Sequence, residues 1–573
     1  MRLILLEYLK QLKESGELDV LLPDLLNAMS LRIISQPQIG SRQYGVDVSA
    51  VGRDPTSGKQ TLFLFIIKCG DSGRDDWDGS PQSVRQSLAE IEDVYLKNNI
   101  PPDHENDPVK VVLVTGGEMK QAVEQNVKGH ILKYEEKNKL KYELWDGGKL
   151  AELIEEHLLN EKLLPSRLQK KLRKTLALLG DSDVDLSDFY DVIKHILLDD
   201  EFTTRGGNFS KKKFYKALRT VNTCLAILKK WSQEVDNLKP AILGSERAYL
   251  YAALAIERHG LNKDKYAQRS FLTTYQILID VYVLYANKMQ NNCMVSNGFI
   301  SDNKFYTLEC LMIFENLGLL STASLLLQEY GILMSDQRRF EDGESVAQLI
   351  QHYIANHETT SAPCMDGHII DIMLSLIATS MLKDQKFNTR WVADIIEMVQ
   401  YSYLHLGKYF PIDSDDFDDL VDLETDGQVL KEQKFKLSTL IPILAQWAVS
   451  IGNRGLYEEI RSVIVTNLPS SVTMQIWYPC SKTIDFIALG NAQYESGNTE
   501  APINFEPLDF DEMLNAIRAV QVNTVDIKEA TPECGRAILS LIASRHYRTP
   551  IIPQFWQNPV LHKKPDSQET ADS

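Results

Sequence analysis

The stretch that decides the fold runs through Gln38-Ile-Gly-Ser-Arg-Gln-Tyr-Gly-Val-Asp-Val-Ser-Ala-Val51 and continues to Thr61-Leu-Phe-Leu-Phe-Ile-Ile-Lys68. The second segment is continuously apolar and rich in β-branched and aromatic residues, which is typical of a strand buried on both faces. Val46–Val51 is another β-rich run, and the cluster Asp54-Pro-Thr-Ser-Gly-Lys59 between the two predicts a turn. The sequence therefore predicts two consecutive strands joined by a short loop.

Strands and helices alternate up to about residue 162. Further strands are predicted at Val109–Thr115 and Lys141–Trp145. Amphipathic spacing predicts helices over Leu3–Leu12, Leu18–Met29, Gln82–Leu96, Met119–Asn138 and Lys149–Leu159. The resulting order, α–β–β–α–β–α–β–α, predicts one α/β domain with a mixed sheet over residues 1–162.

Residues 163–573 have a different pattern, a series of amphipathic helices with short polar breaks and almost no convincing strand. Two of these helices, Lys304–Asn316 and Leu320–Leu333, flank Gly318 and are predicted to form a helical hairpin. No repeat of about 34 residues recurs with matching small and large positions. We therefore expect a large, irregular, all-α helical array, with sub-boundaries near 290–303 and 410–430.

Composition excludes several classes of protein. The 573 residues include 61 Lys and Arg against 79 Asp and Glu, a formal net charge of −18. Both parts of the chain share this acidity, which argues against nucleic-acid binding by a broad basic surface. The seven cysteines form no Cys-x-x-Cys pair, so neither a disulfide framework nor a structural zinc site is expected, and a reducing cytoplasm is favoured. No apolar run approaches about 18 residues, so no membrane span is expected.

Asp47 follows a glycine turn at the start of one strand, and Lys68 ends the next apolar strand. This arrangement resembles the restriction-endonuclease-like (PD-(D/E)xK) superfamily, and within it the Mrr-type branch. The resemblance covers the N-terminal domain only, residues 1–162. It implies a mixed sheet with flanking helices and Mg²⁺-dependent phosphodiester hydrolysis, in which Asp47 binds the metal and Lys68 assists catalysis.

One residue departs from the pattern. The family places Glu, Asp or Gln two positions before the lysine, because alternate strand residues share a face, whereas this chain has Ile66. A carboxylate from elsewhere could complete the site, and Glu7 on the first helix is the preferred candidate. Other candidates are Glu90, Glu92, Asp71, Asp75 and Asp76. Two alternatives stay open: the domain retains only the fold, or the resemblance is accidental.

Several polar residues are candidates for nucleic-acid contact. Four lie near the proposed site: Arg42, Gln43, Gln82 and Gln86. Four more form a basic ridge at helical spacing, the set Arg167, Lys170, Lys171 and Lys174. Simpler interpretations stay open as well. The first four residues could belong to a surface loop or to a helix face that contacts only water. The basic ridge could pair with acidic helices of the same chain. Asp47 could likewise be a turn former, and Lys68 a strand end that reaches water.

The resemblance implies a nuclease component of a bacterial-type anti-phage defence or DNA-processing complex, acting on DNA or RNA. Proteins that join a nuclease domain to a helical array resemble components in which a partner supplies sensing or ATP hydrolysis. The alternative is a non-catalytic scaffold with a degenerate nuclease fold and a protein-binding helical array. The chain could also associate with further copies of itself to form a homo-oligomer. No phosphate-binding glycine loop is present to support nucleotide binding. The cofactor that the resemblance implies is Mg²⁺, if the site is active.

Overall fold

The structure is a computed structural model. It describes residues 2–35, 44–80, 83–138, 140–159, 164–181, 183–199, 202–203, 208–299, 306–382, 384–406, 411–414, 416–425, 435–477, 488–489, 499–500, 503–521 and 538–549. The chain forms two compact units, Met1–Asn237 and Leu238–Ser573. The boundary predicted at residue 162 lies outside the described residues, and the first unit continues past it through three helices.

The first unit is built on a five-stranded mixed sheet. Its strands are β1 (Arg32–Ser35), β2 (Val48–Arg53), β3 (Gln60–Lys68), β4 (Val109–Thr115) and β5 (Lys141–Trp145), in the order β1-β2-β3-β4-β5. The pairs β1–β2 and β2–β3 are antiparallel, and β3–β4 and β4–β5 are parallel. β3 and β4 are buried over nearly their whole length, as the continuous apolar sequence predicts.

Helices flank this sheet and extend the first unit. They are α1 (Arg2–Gln11), α2 (Asp19–Ala28), α3 (Arg74–Asp78), α4 (Val84–Glu90), α5 (Leu96–Asn98), α6 (Gln121–Asn138), α7 (Gly147–His157), α8 (Ser166–Ala177), α9 (Ser187–Lys194) and α10 (Lys211–Glu234). A π-type turn at Ile91–Tyr95 joins α4 to α5. The predicted α/β architecture is confirmed. Strand β1 was not predicted, because its four residues at the sheet edge are too few to show a clear alternation of apolar and polar residues.

The second unit is predominantly helical, as expected. Its helices are α11 (Lys239–Arg258), α12 (Lys265–Cys293), α13 (Tyr306–Met334), α14 (Gln337–Asn356), α15 (Ile369–Ser380), α16 (Gln385–Tyr401), α17 (Phe417–Thr425), α18 (Leu440–Ser450), α19 (Arg454–Asn467), α20 (Phe510–Gln521) and α21 (Ile538–Tyr547). The described part of this unit also contains two-residue strands: β6 (Leu437–Ser438), β7 (Thr473–Met474), β8 (Ile476–Trp477) and β9 (Thr499–Glu500). The sub-boundaries predicted near 290–303 and 410–430 lie partly outside the described residues.

The helical hairpin predicted around Gly318 is wrong. α13 is one continuous helix through Gly318, and the glycine serves close packing rather than a turn. A Cβ at this position would lie 2.1 Å from Asp371 Oδ1 on α15. Ser321 on α13 and Ser375 on α15 also share a hydrogen bond of 2.8 Å, so small side chains let the two helices approach closely.

α21 is held in the second unit by buried ion pairs. Arg545 donates to both carboxylate oxygens of Glu246 on α11, at 2.7 and 3.0 Å, and His546 lies 3.0 Å from the same carboxylate. Beyond the helix, Arg548 makes a paired contact with Asp371 at 3.0 and 2.8 Å. The Arg545–Glu246 pair is fully buried, and removing one partner of a buried pair leaves an uncompensated charge, which typically costs about 3–5 kcal/mol. The Arg548–Asp371 pair is only partly buried.

One described helix is long and apolar enough, by length and composition, to cross a membrane. This is α13, and 83% of its apolar window is buried inside the protein. Core helices pass the same test, so the finding is weak evidence for a span.

Candidate active site

Asp47 lies immediately before β2 and is tied to β3 on both its backbone and its side chain. Its amide donates to Phe65 O at 2.9 Å, and its Oδ2 accepts a hydrogen bond of 2.7 Å from the amide of Ile67. Burial raises the pKa of the Asp47 carboxyl, and the Ile67 amide and the charge of Lys68 offset this rise only in part. Asp47 is therefore a fixed carboxylate in a partly desolvated position.

Backbone pairing brings Asp47 beside the end of β3 that carries Lys68. Val48 pairs with Phe65 in the antiparallel β2–β3 ladder, and the regular register begins there. The pairing just before it is irregular, because the Asp47 amide bonds to Phe65 O and the Ile67 amide bonds to the Asp47 side chain. Asp47 and Lys68 are close enough at this end of the strands for the charge of Lys68 to lower the pKa of Asp47.

Ile66 is a core residue. It is 0% exposed and packs in the apolar cluster that contains Leu64, Val84 and Leu113. The position where the family carries its second polar residue is thus filled by a side chain that holds the sheet against its helices. It offers no ligand atom.

Lys68 is paired with a carboxylate that the sequence did not single out. Its side chain is 13% exposed, and Nζ lies 3.2 and 3.4 Å from the two carboxylate oxygens of Glu14. Glu14 stands in the turn between α1 and α2, where Gly16 takes a φ of +83°. This left-handed conformation favours glycine, and the turn that contains it brings Glu14 to the end of β3 that carries Lys68.

Asp19, the first residue of α2, is the second acidic residue that the sequence did not predict here. Burial raises its pKa, and backbone amides of the same turn lower it less. Its Oδ1 is buried and has no hydrogen-bond partner in the described part of the chain. The charges of Glu14 and Asp19 both raise the pKa of Asp47, and the charge of Glu14 also raises the pKa of Asp19, so these three carboxyl groups act on one another.

Glu7, the additional ligand preferred from the sequence, has another environment. It is exposed on α1 and accepts a hydrogen bond of 3.1 Å from Gln11. The acidic groups whose charges act on Asp47 come from the following turn and helix instead. Helical periodicity places Glu7 on α1, but it does not reveal how the chain returns beside Lys68 after that helix ends.

The other candidate carboxylates make separate contacts. Asp71 accepts from the amide of Glu118 at 3.0 Å, Asp76 accepts from the amide of Gly73 at 2.8 Å, and Glu92 accepts from Tyr142 at 2.9 Å. Asp75 is exposed on α3, and Glu90 is half-buried at the end of α4.

The carboxylate oxygens of Asp47, Glu14 and Asp19 are the type of ligand atom that a hard cation binds. Three carboxylates against one ammonium leave surplus negative charge, and Asp19 supplies a buried oxygen that has no hydrogen-bond partner among the described residues. Mg²⁺ prefers such oxygen ligands, together with water. Among the described residues, however, no three acidic side chains bring oxygen atoms within 4.8 Å of one another. An ion would therefore have to draw these groups together.

The residues predicted to contact nucleic acid are only partly described. Arg42, Gln43 and Gln82 lie outside the described residues. Gln86 is exposed on α4, and this placement neither requires nor opposes contact with a polynucleotide.

The basic ridge lies on α8 and is partly neutralised within the chain. Lys171 pairs with Asp188 at 3.1 Å and also with Asp191. Lys174 pairs with Asp188 at 2.8 Å. Arg167 and Lys170 are exposed on the same helix. Two of the four predicted phosphate contacts thus bind carboxylates of α9, which is the intrachain alternative left open above.

Comparison of the chain with models of known protein families, with curated proteins and with solved structures finds no match.

Proposed function

We propose that this chain is a metal-dependent nuclease whose site lies around Asp47 and Lys68. The observation that carries the proposal is a set of half-buried carboxyl groups, Asp47, Glu14 and Asp19, whose charges act on one another and of which Glu14 binds Lys68. In the described part of the chain, the buried Oδ1 of Asp19 has no hydrogen-bond partner. Carboxyl groups whose pKa values are raised beside a lysine are typical of sites that bind a cation or move a proton. The proposal includes the restriction-endonuclease-like assignment of residues 1–162.

The roles of the residues follow from their positions. Asp47 and Asp19 would hold Mg²⁺, and Glu14 would join them when it leaves Lys68. Bound there, the ion would supply an activated water and neutralise charge on the phosphate. Lys68 would then donate to the attacked phosphate or orient the water. In this structure Glu14 is paired with Lys68, so the lysine cannot contact a phosphate until that ion pair breaks. We propose that a partner or the substrate breaks it.

Charge supports recruitment by a partner. With a net charge of −18 and two of the ridge lysines paired to Asp188 and Asp191, the chain has little basic surface with which to hold a phosphate backbone alone. We propose that it works within an anti-phage defence or DNA-processing complex, whose partner supplies nucleic-acid contact, sensing or ATP hydrolysis. The assignment to such a complex rests on two resemblances: that of residues 1–162 to restriction-endonuclease-like domains, and that of a nuclease domain joined to a helical array to components of such complexes.

Cleavage assays test the proposal. The full chain, alone and with the proteins that co-purify with it, is incubated with DNA and RNA in the presence of Mg²⁺ or Mn²⁺. Asp47→Asn and Lys68→Ala should each lower the cleavage rate about 100-fold or more, because each removes a group that acts on the reacting phosphate. Asp93→Asn and Lys97→Ala are matched controls, since both side chains are well exposed, at 77% and 66%.

A non-catalytic scaffold is the second candidate, and one observation favours it. Ile66 is a fully buried core residue where the family carries a ligand. If no condition with the co-purified partners gives cleavage, while Lys68→Ala still binds those partners, the scaffold function replaces the nuclease. Cleavage that Lys68→Ala leaves unchanged would come from a contaminant or another site.

A further inference from the structure

Three metal-ligating side chains meet in the core of the second unit. Cys310 lies near the start of α13, Cys364 follows the 3₁₀ turn Glu358–Ser361, and His368 ends the 3₁₀ turn Asp366–His368 just before α15. One ligand atom from each lies within 4.8 Å of the others. Among the described residues, no other group of three His, Cys, Asp or Glu side chains is this close.

The three side chains are enclosed. Cys310 and Cys364 are 0% exposed and His368 is 3% exposed. The His368 ring stacks on Phe314, one turn after Cys310 on α13, with centroids 4.2 Å apart and planes 13° apart. The backbone carbonyl of Cys364 accepts a hydrogen bond of 3.0 Å from Ile412. The ligands are therefore held in place by packing and by the backbone.

One nitrogen of the His368 ring is buried and unsatisfied among the described residues. This atom, Nδ1, has no hydrogen-bond partner in the described part of the chain. A buried polar atom left unsatisfied costs about 1–3 kcal/mol.

The ligand types select the metal. Two thiolates and an imidazole are soft and borderline ligands that favour Zn²⁺ over Mg²⁺ or Ca²⁺. The local spacing Cys364-x-x-x-His368 brings two ligands from one short segment, and Cys310 comes from a helix more than fifty residues earlier. Three protein ligands leave one tetrahedral position for water or another donor.

We propose that Cys310, Cys364 and His368 bind Zn²⁺ and pin the start of α13 to the segment that leads into α15. Sequence spacing alone argued against zinc, because the seven cysteines show no Cys-x-x-Cys pair. The site becomes visible only when the fold brings α13 beside the turn before α15. It is separate from the carboxylate group around Lys68 and does not depend on the function proposed for that group.

Metal content tests this site on the full chain. The protein is purified under reducing conditions without metal-affinity resin, and its zinc is measured by mass spectrometry. We expect about one zinc ion per chain in the wild type, and a loss of about tenfold or more in Cys364→Ser, which removes a ligand. Cys293→Ser is the matched control, because Cys293 is also buried in the second unit but lies outside the cluster. Circular dichroism reports whether each variant is folded.

A second measurement needs no variant. Zinc is removed from the wild-type chain with a chelator and Co²⁺ is added, and thiolate-bound tetrahedral Co²⁺ should give visible absorption that Zn²⁺ abolishes. The proposal is overturned if the wild type carries no zinc and takes up no Co²⁺. It is also overturned if Cys293→Ser loses as much metal as Cys364→Ser, or if the freshly purified chain contains a Cys310–Cys364 disulfide.

Discussion

At the scale of single residues, Lys110 is a cation enclosed by the sheet of the first unit. It lies on β4 and is 7% exposed. Its Nζ donates to Asp54 at 3.0 Å and to Glu143 on β5 at 3.2 Å. Burial opposes ionisation of Asp54, but the bonds from Lys110, Thr56 and Ser57 outweigh it and lower the pKa of Asp54 to about 2.

This pair predicts how the first unit responds to acid. A carboxyl whose pKa is about 2 when folded and about 3.9 when unfolded adds about 2.5 kcal/mol to the free energy of unfolding. The contribution is complete above about pH 5 and is lost as the pH falls through the folded pKa. Asp54→Asn should therefore destabilise the first unit near neutral pH, and its difference from the wild type should shrink towards pH 2.

Urea unfolding of both proteins at several pH values measures this difference. The double variant Asp54→Asn with Lys110→Met is the control, since it removes the charge that Asp54→Asn alone leaves buried and should restore part of the lost stability. A difference that does not change between pH 6 and about pH 2 would show that the pair does not lower the pKa of Asp54.

The candidate site shows what sequence can predict at this scale. Asp47 and Lys68 could be found because each sits at a fixed place in a strand pattern. Glu14 and Asp19 could not, since they belong to a turn between two helices with no spacing that points to Lys68. Their role depends on where the turn lies against the sheet. Tertiary packing therefore decides which acidic residues act on Asp47, and in this structure these are Glu14 and Asp19.

At the scale of elements, Gly318 decides how α13 and α15 pack. A Cβ at Gly318 would meet Asp371 Oδ1 at 2.1 Å. The buried Asp371 carboxylate is held by Arg548 at 3.0 and 2.8 Å, so it cannot move aside without weakening a partly buried ion pair. The glycine is therefore required by packing between two helices.

Gly318→Ala should destabilise the second unit by about 1–3 kcal/mol, which is typical of overpacking a core. Thermal unfolding of the full chain measures the shift. Gly129→Ala is the matched control, because Gly129 lies within α6 with nothing within 4 Å of its Cβ position. It should leave stability unchanged or raise it by about 0.5–1 kcal/mol. A Gly318→Ala protein as stable as the wild type would contradict this packing.

Helical periodicity predicted most helices of the second unit but not the continuity of α13. Glycine often ends a helix or marks a turn, and the apolar segments on both sides of Gly318 looked like separate helices. The reason for the glycine is a residue on α15, more than fifty positions later. Helix faces are local and can be read from sequence, whereas the demand for a small residue comes from a distant partner.

At the scale of the whole molecule, acidity limits how this chain meets nucleic acid. Its net charge of −18 repels a phosphate backbone, and its candidate site is itself acidic. Both features favour metal binding before nucleic-acid binding, because a divalent ion removes the local surplus of negative charge. Metal binding can therefore be measured without knowing the substrate, the partner or the trigger.

The most direct measurement is calorimetric titration of Mn²⁺ into the zinc-loaded full chain. The account predicts one site in the wild type, strong loss of binding in Asp47→Asn, and unchanged binding in Asp93→Asn. Mn²⁺ shares the oxygen-ligand preference of Mg²⁺, so it reports on the carboxylates around Lys68. Absence of any site in the wild type, or equal binding by Asp47→Asn, would contradict the central claim and favour the non-catalytic scaffold.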